Sequence, residues 1–210
     1  MNLKSTNFAV LGQLALRPWS AYELIQEMKR NFHYFYPRAE SGLYEALKKL
    51  ESLGYASAEV KTKGKKDRTE YQITEEGRKA LRQWLETEPE AYRLEFDGLL
   101  RVFLAKFGDA EALKNSLQKV SEDAETLLSL AEKVGNEYLT DTAPAQSEIA
   151  QRVCVFDFLL HYGMMYREWL SRTEAYLNEI EGMPESLVSE TAKGLIREHM
   201  KTCGLTIKGD

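Results

Sequence analysis

The chain has 210 residues, 43% of them hydrophobic and 29% charged, enough for one or two domains with a buried core, which excludes a disulfide-stapled miniprotein. Its net charge of -5, taken whole, disfavours a protein that embraces nucleic acid along its length. The charge is uneven, however: residues 1–85 hold 15 Lys and Arg against 10 Asp and Glu, while residues 86–210 hold 13 against 23, so an acidic total conceals a basic N-terminal part.

The first helix is expected over residues 5–16, with Phe8, Leu11, Leu14 and Ala15 at helical spacing behind a Ser5 or Thr6 cap, and Pro18 stops it. Ser20-Ala-Tyr-Glu23 is a capping box, in which hydroxyl and carboxylate each satisfy an orphan amide of a second helix. Tyr22, Leu24, Ile25 and Met28 are expected largely on its inner face. A third helix begins between Pro37 and Ser41 and ends at Gly54, a residue suited to a left-handed terminator.

After Gly54 the period changes to alternation. Ala56, Ala58 and Val60 on one strand and Tyr71 and Ile73 on the next predict a two-stranded β-hairpin with its turn at Lys63–Asp67. Thr74 caps a fourth helix whose stripe is Ala80, Leu81, Trp84 and Leu85, and the polar, Pro-containing Glu86–Glu90 marks a domain boundary. Residues 1–87 thus read as one domain and 88–210 as a second.

The second domain reads as all-helical. Leu113, Leu117, Val120, Ala124, Leu127, Ala131, Val134 and Tyr138 alternate spacings of four and three, a heptad seam that requires a helical partner. A following helix, with Pro144 near its start and Gly182 and Pro184 at its end, would span roughly 55 Å at ~1.5 Å per residue. Its middle, with Val153, Phe156, Leu160 and Met164, is apolar around most of its circumference, which implies burial against a second subunit. A last helix covers roughly residues 185–201.

Two features of the first domain carry chemistry. On the third helix Leu43, Ala46, Leu47, Leu50 and Leu53 share one face, while Arg38, Ser41, Tyr44, Glu45 and Lys48 share the other, with Lys49 at its edge. Such a cationic, hydrogen-bonding stripe on a leucine-anchored helix suits the major groove. Alone, it could equally be a solvated face. In the hairpin, Lys61, Lys63, Lys65, Lys66 and Arg68 place five cations within eight residues, matched to phosphate oxygens. Three helices followed by a basic two-stranded wing are together the pattern of a winged helix-turn-helix. The fold class is therefore mainly α with a small β-hairpin wing: an N-terminal winged helix-turn-helix domain and an all-α C-terminal dimerisation domain with long helices.

Three blocks add a family resemblance: Ala21-Tyr-Glu-Leu-Ile25, Ser41-Gly-Leu-Tyr-Glu-Ala-Leu-Lys-Lys-Leu-Glu-Ser-Leu-Gly54 and Arg68-Thr-Glu-Tyr-Gln-Ile-Thr-Glu-Glu-Gly77. They resemble the signature of PadR-family bacterial transcriptional regulators over about the first 85 residues. The C-terminal half is similar to that family only in organisation and at Phe96-Asp-Gly-Leu-Leu-Arg101. Ala21 departs from the family, which often has Gly there. The resemblance implies a homodimer, paired by the C-terminal helices with help from the first, that binds an inverted-repeat operator in double-stranded DNA. Arg38, Ser41, Tyr44, Lys48 and Lys49 would face the groove, and Lys63, Lys65, Lys66 and Arg68 would grip the backbone. Leu113, Leu117, Val120, Leu127, Val153, Phe156, Leu160 and Met164 are the expected dimerisation residues. Repression is expected, although activation uses the same DNA contacts, and a small-molecule effector is open with no lining residues assigned.

The remaining groups point away from catalysis. His33, His161 and His199 lack partners at metal-ligand spacing, so no metal site or cofactor is expected. No phosphate loop or nucleophile elbow occurs, and Asp157 near His161 lacks a serine partner. Cys154 is expected as a small core residue, and Cys203 near the tail as exposed. Arg152 and Asp157 would be buried charges seeking partners. Trp84, Trp169, Tyr162, Tyr166, Phe156 and Phe158 suit core packing better than a ligand pocket. Too few cysteines for a disulfide framework, no leader pattern and charges throughout 151–170 lead us to expect a soluble, cytoplasmic protein. A helical protein-interaction module whose winged domain no longer reads DNA is the competing function.

Overall fold

The computed structural model describes residues 3–63, 66–143 and 146–207. They form two compact units, divided between Glu95 and Phe96. The boundary expected after residue 87 falls inside an irregular segment, 86–96, and the chain divides into its two compact units at the far end of that segment.

In the first unit α1 (Ser5–Leu16) is followed by β1 (Trp19–Ser20), α2 (Ala21–Phe32), α3 (Glu40–Ser52), β2 (Ala56–Lys63), β3 (Lys66–Ile73) and α4 (Glu75–Leu85). The cap of α1 is Lys4 rather than Ser5 or Thr6, and its backbone N–H donates to Asn7 Oδ1 at 2.9 Å. The capping box at Ser20 forms as expected, with Glu23 N donating to Ser20 Oγ at 3.3 Å. Gly54 takes a left-handed φ of 73°, and Tyr55 N closes the last turn of α3 on Leu50 O at 2.9 Å. Thr74 Oγ1 then donates to Gly54 O at 2.7 Å and accepts from Gly77 N at 3.1 Å. One side chain therefore ties the end of α3 to the start of α4.

The core is built from the inner faces of three helices: Val10, Leu11 and Leu14 of α1, Leu24, Ile25 and Met28 of α2, and Leu43, Ala46, Leu47 and Leu50 of α3. Each large apolar side chain so buried contributes about 1.5–3 kcal/mol. Phe8 stacks on Trp84 at 4.9 Å between ring centroids, closing α4 over α1. Tyr22, Leu53 and Leu85, expected on inner faces, are exposed, because each sits at an end of its helix, past the reach of the core.

The expected hairpin forms from β2 and β3, and β1 joins its β3 edge as a third strand. The sheet has three antiparallel strands in the order β1-β3-β2, with Trp19 opposite Tyr71 and Ser20 opposite Glu70. Trp19 is buried and its indole N–H donates to Gln13 O at 2.9 Å. The hairpin strands run to Lys63 and from Lys66, so the connection is two residues and not the whole of Lys63–Asp67. Val60 lies on the same face as Ala56 and Ala58 but beyond the core, exposed to solvent.

In the second unit α5 (Asp97–Phe103) leads through a short 3-10 turn into α6 (Ala110–Leu139), then α7 (Ile149–Ile180) and α8 (Glu185–Thr202). Pro144 lies outside the described residues. Gly135 lies against Phe156, and Gly163 against Leu127 and Leu128; the falling and rising numbers make α6 and α7 antiparallel. The seam is covered by this pairing within the chain. Leu117, Val120 and Leu127, expected at a subunit contact, are buried in a single copy together with Ala124 and Ala131, so they have little surface left for a second chain. Leu113 and Phe156 are half-buried, with the Phe156 ring turned toward α6.

The open surface of α7 is elsewhere. Val153 is 51% exposed, Phe158 57% and Met164 44%, while Leu160 is half-buried. Cys154 is exposed rather than in the core. Arg152 and Asp157 are not buried orphans either: Arg152 pairs with Glu148 one turn earlier at 3.0 Å, and Asp157 with His161 at 3.3 Å. Phe96 stacks on Tyr166 at 4.9 Å and meets Trp169 edge-on at 5.9 Å, so these aromatics pack on one another. No residue of α8 is buried. Among the described residues no helix is long and apolar enough to cross a membrane.

Candidate nucleic-acid interface

The amphipathic split of α3 fixes what it presents. With Leu43, Ala46, Leu47 and Leu50 buried, Ser41, Tyr44, Glu45 and Lys48 stand on the open face. Lys49 is half-buried and engaged by neighbouring groups, which fits its place at the edge of the stripe. Arg38 precedes the helix: its guanidinium stacks 3.8 Å from the Tyr36 ring centroid, with Nε donating to Thr6 Oγ1 at 3.3 Å and Nη1 to Pro37 O at 2.6 Å. Lys29 of α2 pairs with Glu40 in the first turn of α3 at 2.6 Å, joining the two helices across their connection.

The wing stands beside this surface. Cross-strand register pairs position 63 with 66 and 61 with 68, and strand alternation places Lys61 and Arg68 on the face of the hairpin opposite Ala56, Ala58 and Tyr71. Lys65 lies outside the described residues, and only the backbones of Lys63 and Lys66 belong to them. Lys61 pairs with Glu70 at 3.1 Å; hydrogen bonding to Glu70 and its charge raise the Lys61 pKa above the ordinary lysine value, so the ammonium stays charged at neutral pH.

Arg68 does something sequence reasoning missed. Instead of standing open to phosphate, it reaches the capping box of α2, ion-paired with Glu23 and donating from Nη2 to Ser20 Oγ at 2.9 Å. Its Nε is buried and without a hydrogen-bond partner. Arg68 is therefore a tether between wing and α2, because Glu23 offers a fixed carboxylate at the distance its side chain spans. The capping box was visible in the sequence, but nothing local shows that its carboxylate serves a residue 45 positions away. Among the described residues no cluster of three or more His, Cys, Asp and Glu could hold a metal ion.

This arrangement of a buried-leucine helix and an adjoining two-stranded wing coincides with a known family. Residues 10–83 match the model of the PadR-like transcriptional regulator family. The chain carries a PadR-like regulator domain. The PadR-like match ends two residues before the close of α4 and so spans most of the first unit.

Solved structures extend the likeness in fold. Bacillus subtilis PadR, in a complex with operator DNA, superposes with a TM-score of 0.69 at 20% identity, over 83% of this chain and 99% of that one. A PadR-like transcriptional regulator from Bacillus cereus gives 0.68 at 22% identity, over 85% and 99%. The Vibrio cholerae virulence activator AphA gives 0.57 at 19%, again over 85% and 99%. Bacillus subtilis PadR is also known with p-coumaric acid. No curated protein matches this chain by sequence.

Proposed function

We propose that the chain is a cytoplasmic, sequence-specific regulator of transcription that binds double-stranded DNA as a homodimer and represses by occupying an inverted-repeat operator. The observation that carries this reading is the open face of α3, with Ser41, Tyr44 and Lys48 held outward by four buried apolar residues in a PadR-like domain. A recognition helix docks with its N-terminal residues toward base edges, which gives Arg38, Ser41 and Tyr44 the reading role and Lys48 and Lys49 the flanking one. Lys63, Lys65 and Lys66 supply sequence-independent affinity for phosphate. Residues 1–87 serve DNA binding and 88–210 dimerisation, with Val153, Leu160 and Met164 of α7 at the contact. The function requires no metal, cofactor or catalytic step.

The operator complex of the Bacillus subtilis protein supports DNA as the partner, and its complex with p-coumaric acid supports control by a small molecule. Selection of bound duplexes from random DNA tests the reading: an enriched palindromic motif with half-sites about one helical turn, ~34 Å, apart is expected. Failure to enrich any motif, with a protein that stays monomeric, would favour the protein-interaction module instead. A reporter placed behind the selected motif then reads the sign of control.

A further inference from the structure

The connection between α2 and α3 runs from His33 to Ala39, seven residues where a helix-turn-helix needs three or four. The surplus reaches back to α1. Tyr36 N donates to Phe32 O at 2.7 Å and Phe35 packs edge-on against Phe32 at 5.6 Å, which anchors the connection on α2, and the Tyr36 hydroxyl meets Thr6 Oγ1 of α1 at 3.2 Å. Arg38 lies along this support. Its guanidinium is fixed from three sides: by the Tyr36 ring at 3.8 Å, by Thr6 Oγ1, which accepts from Nε at 3.3 Å, and by Pro37 O, which accepts from Nη1 at 2.6 Å. A guanidinium has five N–H groups, so among the described residues both Nη2 hydrogens and one on Nη1 remain for a ligand. An exposed arginine ordinarily loses its rotamer freedom only on binding; here Thr6 and Tyr36 impose that loss during folding, and the remaining donors already have a direction.

We propose, resting on the DNA-binding reading above, that Arg38 reads one guanine in the major groove of each half-site and that Thr6 and Tyr36 are its positioning residues. Arg38 stands immediately before Ala39, the N-cap of α3, and the N-terminal end of a recognition helix is the end that meets base edges. Paired N–H donors match the O6 and N7 acceptors of guanine, whereas adenine presents one acceptor and one donor on that edge and cannot satisfy both. A phosphate also accepts from a guanidinium. Gripping a phosphate, however, requires charge more than a set direction, and the wing lysines fill that role. The direction comes from outside the α2–α3 pair: Thr6 Oγ1 of α1 holds Nε, and Tyr36 holds both Thr6 and the guanidinium face.

The test uses the full chain and duplexes selected from random DNA, with the parent and Arg38→Ala selected side by side. One guanine per half-site is expected to drop out of the Arg38→Ala motif while the other positions persist. That guanine is then replaced in the parent motif by 7-deazaguanine, which removes N7 alone, and affinities are read by fluorescence anisotropy. The replacement should weaken the parent about tenfold and leave Arg38→Ala unaffected. Thr6→Val keeps the shape and loses the acceptor, so its penalty from the replaced base should fall to about threefold, and Thr6→Ser should restore it in full. Tyr36→Phe, which keeps the ring, should lie between. Random-duplex affinity should stay within about twofold throughout, which separates a variant that has lost direction from one that does not fold; if Thr6→Val does not fold, Tyr36→Phe decides. An unchanged motif, or a full penalty in Arg38→Ala, overturns guanine reading by Arg38. Equal loss on every duplex, with a salt slope lower by about one, makes Arg38 a phosphate contact and overturns it too. A full penalty in the folded Thr6 and Tyr36 variants overturns the positioning roles alone, whereas a parent that enriches no motif overturns the regulator reading and this assignment with it.

Discussion

Arg68 on β3 is ion-paired with Glu23 in the first turn of α2. The pair joins two segments 45 residues apart and fixes the angle between wing and helix-turn-helix, because the same carboxylate also caps α2 through Ser20. A double-mutant cycle of Arg68→Ala and Glu23→Gln should give a coupling of about 1 kcal/mol in urea unfolding, moderated by the partial exposure of both side chains. Arg68→Lys should recover a large part of it, since both contacts are made from the single nitrogen Nη2 and an ammonium has three donors. Additive single effects would show that the wing is set without this tether.

The roles proposed for α3 and the wing predict different losses. Tyr44→Ala or Lys48→Ala should weaken the selected operator by about 1–3 kcal/mol and random duplex much less, measured by fluorescence anisotropy at two or more salt concentrations. Lys65→Ala with Lys66→Ala should weaken both DNAs alike and reduce the salt slope by about one for each phosphate no longer neutralised. Equal losses on both DNAs from all four changes would remove the case for base reading by α3.

Much of this surface is legible in the sequence because it obeys local rules. Leucine spacing determines which side of α3 is open, a capping box announces α2, and Gly54 marks the end of α3. What escapes depends on distant partners. β1 is two residues long, too short for any alternation, and exists because Tyr71 and Glu70 offer it a strand edge. Arg68 looks like one more wing cation, since only the fold brings Glu23 beside it. In the second unit the seam of α6 does need a helix, but spacing cannot say whether that helix is in the same chain, and α7 supplies it. Cys154 among apolar neighbours resembles a core residue because the side of α7 on which it sits is apolar and yet open.

Gly77 makes a sharp stability prediction. Alanine ordinarily favours a helix over glycine by about 1 kcal/mol, and Gly77 lies in the first turn of α4. A Cβ there would nevertheless stand 2.1 Å from Tyr55 O and 2.9 Å from Ile73 Cγ1. The first of these is backbone and cannot rotate away, so α4 must shift off the strand ends. Gly77→Ala should therefore destabilise the domain by about 1–3 kcal/mol, seen as a lower denaturation midpoint, despite its better helix propensity. An unchanged or raised midpoint would mean that α4 moves at negligible cost.

The two classes of apolar residue in the second unit separate stability from assembly. Leu117 is 4% exposed and packed inside the chain, so Leu117→Ala should cost about 2–5 kcal/mol of folding free energy while the surviving folded protein keeps its oligomeric state. Val153 and Met164 are about half exposed in a single copy. Replacing both with lysine should leave the fold intact, because their ends already face solvent, yet place two charges in any apolar contact between copies, a like-charge and desolvation cost of several kcal/mol across the symmetric interface. Sedimentation of the double variant should thus show monomer where the parent shows dimer, and its operator affinity should fall because only one half-site can be held at a time. A double variant that sediments as the parent does would move the subunit contact off this part of α7, to the uncovered apolar side chains of α5 or α8, where Phe103 and Ile196 are the most exposed.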